Sequence, residues 1–433
     1  MGKKRALIIG GGHNALVAAC YLARADFSVV VLEKNKRIGG CCVTDEETFP
    51  GFKVSSASYV NSLFSPQIVN DLNLSSYGYE VIRRNPSSFT PLPDGRYLML
   101  GSDQDMNKRE IAKFSRRDAE AYPRYERALE EVSAFITPTL TMTPPNIPPR
   151  SGSDVSALFA LMRHAARTRP ATLARFTRLM LTSPFSYLNH WFESDALKAT
   201  LLTDALIGAV RPSGYVLLHH VMGEAGGSRG VWGYQRGGMG GISEALARAA
   251  KQFDARIETS AAVASILVED GRAVGVMLEN GSRIPADLVI SGVDPKRTFL
   301  KLLPDVDALD SLKRRVRKLD FSSAATKVNI ALSGLPSFRC LPGTSPGPQH
   351  RGTIHISPST RYILRALYEA RSGSASAKPI LEITIPSVLD DTVAPRGKHL
   401  MNIFVQFTPY HLAPGSWDSF KETYFHNHIV PAM

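Results

Sequence analysis

Cysteine is scarce in this chain: Cys20, Cys41, Cys42 and Cys340 are the four in 433 residues. None stands in a CxxC pair, which excludes the usual spacing of a structural zinc site, and so few scattered thiols make no disulfide framework. Also missing is any uninterrupted apolar run of about eighteen residues, so no segment reads as a membrane-spanning helix. The opening, Met1-Gly2-Lys3-Lys4-Arg5, runs directly into apolar sequence, so no signal or transit peptide is expected there, and Ala6 stands where a myristoylation site needs Ser or Thr. Acidic residues are in deficit: 51 Lys and Arg against 39 Asp and Glu leave a net charge of +12. That surplus suits an anionic partner. No helix-turn-helix, zinc-finger or aromatic RNA-binding pattern accompanies it, so nucleic acid is not expected.

What is present begins with "RALIIGGGHNALVAACYLARADFSVVVLEKNKRIGG", which reads as strand, glycine turn, helix, strand. Ala6 to Ile9 form the continuous apolar run of a strand buried on both faces. Gly10, Gly12 and Ala15 then occupy the three small positions of GxGxxG/A, with Gly11, His13 and Asn14 between them. The first allows a tight turn, the second close approach of backbone to a pyrophosphate, the third close packing of helix on strand. A helix from about His13 to Ala25 would aim its free N–H groups at that anion. Glu33 stands at the end of the second strand, eighteen residues after Ala15, where a carboxylate accepts hydrogen bonds from a ribose hydroxyl. These elements together read as a dinucleotide site.

The stretch "LEKNKRIGGCCVTDE" shows which dinucleotide. Lys34 follows the acid, and Arg37, Gly39 and Gly40 come four, six and seven residues after Glu33. This E-x-x-x-R-x-G-G run resembles the extended FAD fingerprint of the phytoene desaturase and amine oxidase flavoproteins. A cation near phosphate and glycines beside the cofactor make physical sense of it. Cys41 and Cys42 are adjacent and lack the short intervening loop of a flavoenzyme disulfide, so they read as packing residues rather than a redox pair.

Further runs carry the resemblance along most of the chain: "VTDEETFPGFKVSSASY", "RNPSSFTPLPDGR", "FSRRDAEAYPRYE", "HWFESDALKATLLTDALIGA", "SGYVLLHHVMG" and "GVWGYQRGGMGGISEALARAA". They are similar to the phytoene desaturase superfamily, in the branch called pyridine nucleotide-disulfide oxidoreductase domain-containing protein 2. The resemblance implies an α/β fold: a Rossmann-type FAD-binding domain with an inserted helical lid and an antiparallel-sheet substrate domain. It implies FAD as cofactor, the backbone around Val263 near the adenine, and Gly237 and Gly238 near the flavin side. Residues 1–100 and 231–300 are expected to form the FAD domain, 101–230 a helical lid region and 301–433 the substrate domain. Relatives end in a second glycine-rich segment, roughly GGGVMGAPGRNAA, which closes the FAD domain. The chain stops at "HNHIVPAM", so weakened flavin retention and reduced stability are expected.

The region from Asp118 to Thr203 has a helical pattern broken by the proline-rich "TPTLTMTPPNIPPRSGS". From Val155 to Phe192 there is no acidic residue, while Arg163, Arg167, Arg169, Arg175 and Arg178 interleave with apolar side chains. Such a surface can rest on anionic lipid as a peripheral membrane contact. The commoner arrangement is a helical lid with its apolar side in the core. His219 and His220, read as neighbours on a strand, point to opposite faces and make no joint metal site. Trp191, Trp232 and Tyr234 read as packing groups. No catalytic residue and no metal site is identified.

Three functions are compatible with these features. The leading one is an FAD-dependent oxidoreductase that accepts hydride from an apolar small molecule, with a regulatory role in mitochondria. The others are a flavin-binding interaction protein without turnover and a nicotinamide-only dehydrogenase. The resemblance implies the mitochondrial matrix and a protein partner there; the lack of a visible transit peptide favours the cytoplasm.

Overall fold

Alternation within short apolar strands sets the layering of the first half of the molecule. In the computed structural model, which describes residues 2–207, 213–225 and 227–433, the strand β1 (Arg5–Ile9) is central in a parallel sheet. It pairs with β2 (Ser28–Leu32) on one side and with the strand Leu288–Ser291 on the other, and β2 pairs with Arg256–Glu258. Successive β1 side chains point to opposite faces. Ala6 and Ile8 enter a core with α1 (His13–Arg24) and the helix Gly240–Gln252, whose Ala19, Cys20, Leu246 and Ala250 are fully buried. Leu7 and Ile9 enter a second core with Ile266 and Val276 of the antiparallel meander Val263–Glu269, Arg272–Leu278 and Arg283–Pro285. With both faces covered, the strands have to be apolar throughout, as their sequences are.

The chain divides into two units. The first comprises Met1–Ile82, Gly233–Phe321 and Asp390–Leu400, the second Arg83–Trp232, Ser322–Leu389 and Met401–Met433. These boundaries differ from the expected ones at four places: 83–100 and 231–232 belong to the second unit, the first unit extends past 300 to Phe321, and Asp390–Leu400 joins it. Residues 83–100 go where their side chains are buried. Phe89 and Met99 pack with Ile354, Leu381 and Ile403, while Leu98 and Leu100 enter a core with Ile111 and Leu129.

The second unit is built on a six-stranded sheet in the order Ala325–Leu332, His399–Gln406, Ile380–Thr384, Thr353–Ile356, Ser88–Pro91, Tyr97–Leu100. The sequence suggested an antiparallel sheet. The pairing of Thr353–Ile356 with Ser88–Pro91 is parallel, because the hairpin contributed by residues 88–100 joins from a distant part of the chain. The helical layer comprises α2 (Arg116–Ile136), α3 (Gly152–Ala166), α4 (Pro170–Leu181), the helix Pro184–Trp191 and α5 (Asp195–Leu206). Ser115, Ser151 and Ser194 cap α2, α3 and α5 through their hydroxyls, as residues of that type should at helix starts. Leu218–Met222 is a short helix, not the strand read from its sequence; the side chain of His220 lies outside the described residues.

Candidate functional site

Strand ends and glycine loops of the first unit enclose a cavity of about 430 Å³, in the size range of small-molecule sites. It lies beyond the C-terminal ends of β1, β2 and Leu288–Ser291, where open parallel sheets place their ligands. Gly10, Gly12, Glu33, Lys34, Gly40 and Val263 all line it. Gly10 has φ +93° and donates its N–H to Leu32 O at 2.8 Å, so the turn is tied to the end of β2. Gly12 is different: a Cβ there would meet no protein atom within 4 Å. Its bareness leaves open space at the start of α1, whose first N–H groups are unsatisfied by any side-chain cap.

Glu33 is buried and held in place. Gly11 N–H donates to Oε2 at 2.7 Å, and the Asn35 backbone N–H and Nδ2 both donate to Oε1 at 2.8 Å. A carboxylate has about four acceptor positions, so one on Oε2 is still available for a hydroxyl. Gly39 donates to Gly11 O at 2.8 Å and has φ +118°, and a Cβ on it would lie 2.3 Å from Cys42 O. Gly40, next to Gly12, completes the wall. Ala15 packs so closely that a Cβ at Gly292 would come within 2.6 Å of its own. His13 opens α1 with its imidazole held below the ordinary value by burial, hence neutral at pH 7, and Asn14 beside it is exposed.

Other expected residues lie elsewhere. The Arg37 guanidinium pairs with Glu47 and approaches Asp45 at 3.8 Å, outside the cavity wall. Gly237 and Gly238, with φ +76° and +94°, form a turn before the helix Gly240–Gln252. Gly237 N–H donates to Asp390 Oδ2 at 2.7 Å, and Gly238 packs against Thr44. Two cations that the sequence reading passed over, Arg297 and Lys301, line the cavity with Lys34. They follow Gly292 on the stretch after the third strand, where "SGVDPKRT" repeats the strand, glycine, helix order of the first turn and could have signalled them. The cysteines are free thiols: Cys42 Sγ lies 3.0 Å from Met239 O, and burial pushes Cys20 up to about 12. They serve packing.

The second unit has its own cavity, of about 340 Å³. Leu100, Tyr122, Tyr125, Leu129, Val221 and Trp232 form its apolar wall, so Trp232 is a wall residue rather than mere packing. Trp191 does pack, edge-on to Tyr125 at 5.8 Å. A polar wall holds Arg84, Asp204 and His355. Arg84 Nη1 donates to Thr353 Oγ1 at 2.6 Å, and His355 Nδ1 bonds Thr203 Oγ1 at 3.0 Å. Desolvation pushes Asp204 up to about 6, partly offset by His355 and Arg84. Glu382, bonded to Gln406 on the neighbouring strand, is pushed by desolvation to about 8. No group of His, Cys, Asp and Glu suited to a metal ion occurs among the described residues.

Residues 16–334 match the family model for flavin containing amine oxidoreductase. The chain belongs to this family. Pyridine nucleotide-disulfide oxidoreductase domain-containing protein 2 of Rattus norvegicus is 42% identical over 99% of this chain and 78% of its own length. Phytoene desaturase of Fusarium fujikuroi is 23% identical over 93% and 66%. An oxidoreductase structure from Methanosarcina mazei shares the fold, with a TM-score of 0.58 at 18% identity, covering 97% of this chain and 82% of that one. Membership decides among the three functions: the chain is an FAD-dependent oxidoreductase. Its residues fit that cofactor. The bare Gly12 and the N-terminus of α1 would receive the pyrophosphate, Glu33 the ribose, and the backbone at Val263 the adenine, with Lys34, Arg297 and Lys301 supplying positive charge around the phosphates.

Proposed function

We propose that the chain oxidises a largely apolar small molecule, by desaturation or a related dehydrogenation, and passes the electrons to a separate acceptor. FAD, when bound, supplies the hydride-accepting chemistry. The observation that carries the reading is the second unit's cavity, whose aromatic and aliphatic wall faces Asp204, the lining carboxyl that lies beside Arg84 and His355; Glu126 and Glu130 line it from α2. Removal of hydride from one carbon leaves a proton to be taken from its neighbour, and Asp204 is the group that takes it. Its raised value, about 6, makes the carboxylate a stronger base than an exposed one while keeping it ionised at pH 7. Arg84 and His355 stabilise that ionised form, and Tyr122, Tyr125 and Trp232 exclude water from the apolar body.

Anaerobic mixing of the flavin-loaded protein with a panel of apolar alcohols, amines and polyenes tests this. Bleaching of the flavin band by an apolar panel member is expected. A flavin that stays oxidised across the panel, yet is reduced by small charged substrates, would overturn it. The branch resemblance also implies a mitochondrial matrix location, a protein partner and a regulatory role there, which imaging of the tagged chain in cells would check.

A further inference from the structure

The helix α3 is apolar on two sides: Leu158 and Leu161 are half-buried, while a second apolar stripe faces outward. Val155, Phe159 and Met162 recur at spacings of four and three, the period of one helical face, yet they are 57%, 61% and 61% exposed. Of its fifteen residues only Asp154 is buried. Polar groups hold the helix in this attitude. Asp154 accepts hydrogen bonds from Asn146 N–H, Arg150 N–H and Ser151 Oγ, each at 2.9 Å, which fixes the preceding loop to the helix start. At the other end His164 Nε2 bonds Phe135 O of α2 at 2.8 Å while its ring stacks on Phe135 at 5.1 Å. Ile147, on the loop fixed by Asp154, is 84% exposed, and Leu181 at the end of α4 is 81% exposed. A helical lid with Leu158 and Leu161 on its inner side accounts for one apolar face of α3 and leaves the outer stripe uncovered.

Charge indicates what covers this face. Arg163, Arg167 and Arg169 are exposed beside the stripe, and no Asp or Glu occurs from Val155 to Phe192. An apolar helical face flanked by arginines suits the boundary between headgroups and acyl chains, where the stripe enters hydrocarbon and the guanidinium groups meet lipid phosphate. We propose that α3, with the loop before it and the arginines after it, docks the protein on an anionic bilayer surface. No helix among the described residues is long and apolar enough to cross a membrane, so the contact is a helix lying in the surface plane. The proposal goes beyond the identity of the substrate and gives an apolar one a route of supply.

Cosedimentation of the flavin-loaded protein with phosphatidylcholine vesicles, and with vesicles containing phosphatidylglycerol as well, tests it. Strong binding to the anionic vesicles only, reversed by raising salt, is expected. Replacing the arginines together (Arg163→Gln, Arg167→Gln, Arg169→Gln) should lower partition roughly a hundredfold, at about a factor of five per charge. The pair Phe159→Ser and Met162→Ser should lower it about tenfold or more, from the apolar area lost. All are surface changes, and the salt titration needs no variant. Equal binding to both vesicle types, no binding, or variants that bind as well as the parent would overturn the proposal. So would a solution dimer of the parent that Phe159→Ser dissolves, since a second copy would then cover the stripe. Flavin content read in the same samples separates failure of this surface from failure of the oxidoreductase reading.

Discussion

The two units differ in how they hold the acids on their cavity walls. The first clears space in its cavity with Gly10, Gly12 and Gly40, rims it with the cations Lys34, Arg297 and Lys301, and holds the buried acid on its wall, Glu33, by three donors. The second lines its cavity with ionisable side chains drawn from separate segments, and Asp204 and Glu382 are shifted far from their ordinary values. Fixed dipoles suit a ligand that must be held in one pose. Groups that gain and lose protons suit chemistry.

The largest expected effect is on the first unit's geometry. Gly39→Ala combines a left-handed backbone with a Cβ 2.3 Å from Cys42 O, and should cost on the order of 3 kcal/mol or more, seen as a lowered melting temperature and loss of FAD binding. Gly12→Ala sharpens the point, since its Cβ meets nothing in the protein: the apoprotein's melting temperature should hold while FAD affinity falls at least about tenfold. Equal losses of both in the two variants would refute the division between folding and ligand clearance. In the second unit, Asp204→Asn should lower turnover roughly a hundredfold or more with FAD affinity unchanged, as for loss of a general base.

A pH series comes next. Glu382 keeps its proton in the folded state up to about 8, against an ordinary value of 4.5. The folded chain therefore binds more protons across that window, so this contribution to stability is full below about 4.5 and is lost as pH rises through about 8. Asp204 acts in the same sense up to about 6, and Lys327, pushed down by burial to about 7, acts oppositely above that value. Glu382→Gln should flatten the fall in melting temperature between about pH 5 and about 8; an unchanged slope would assign the fall to other groups. The smallest effect belongs to Arg37→Ala. With its partners Glu47 and Asp45 at the surface, stability should change by less than about 1 kcal/mol and FAD affinity by less than about threefold, whereas a loss of tenfold would restore the phosphate role first read from its position.

Legibility followed the same divide. The dinucleotide site was readable because β1, the glycine turn, α1, β2 and Glu33 are contiguous and each residue type answers a local demand. Arg37 stands off the cavity wall because its guanidinium pairs with Glu47, ten residues on and outside the fingerprint. Arg297 and Lys301 escaped notice because only the return of Leu288–Ser291 to β1 brings them to the cavity. The second unit's site depends on long-range pairing, as with His355 and Thr203, 152 residues apart. A signal did exist: Asp204 in "LLTDALIG" and Glu382 in "PILEITIP" are lone acids in apolar runs, where an unpartnered charge would be costly and a functional one is worth seeking.

The division of the chain into two units, each assembled from three segments, also governs how the protein is made. The chain passes from one unit to the other five times. During synthesis β1 and β2 emerge first, but β1's second partner, Leu288–Ser291, follows only after 255 further residues. At translation rates of about 5 to 20 residues per second this is a wait of roughly 10 to 50 s. Through most of that interval both edges of an apolar parallel strand pair are uncovered, since Arg256–Glu258, the second partner of β2, also follows late, and neither unit can be produced alone by cutting the gene at a single point.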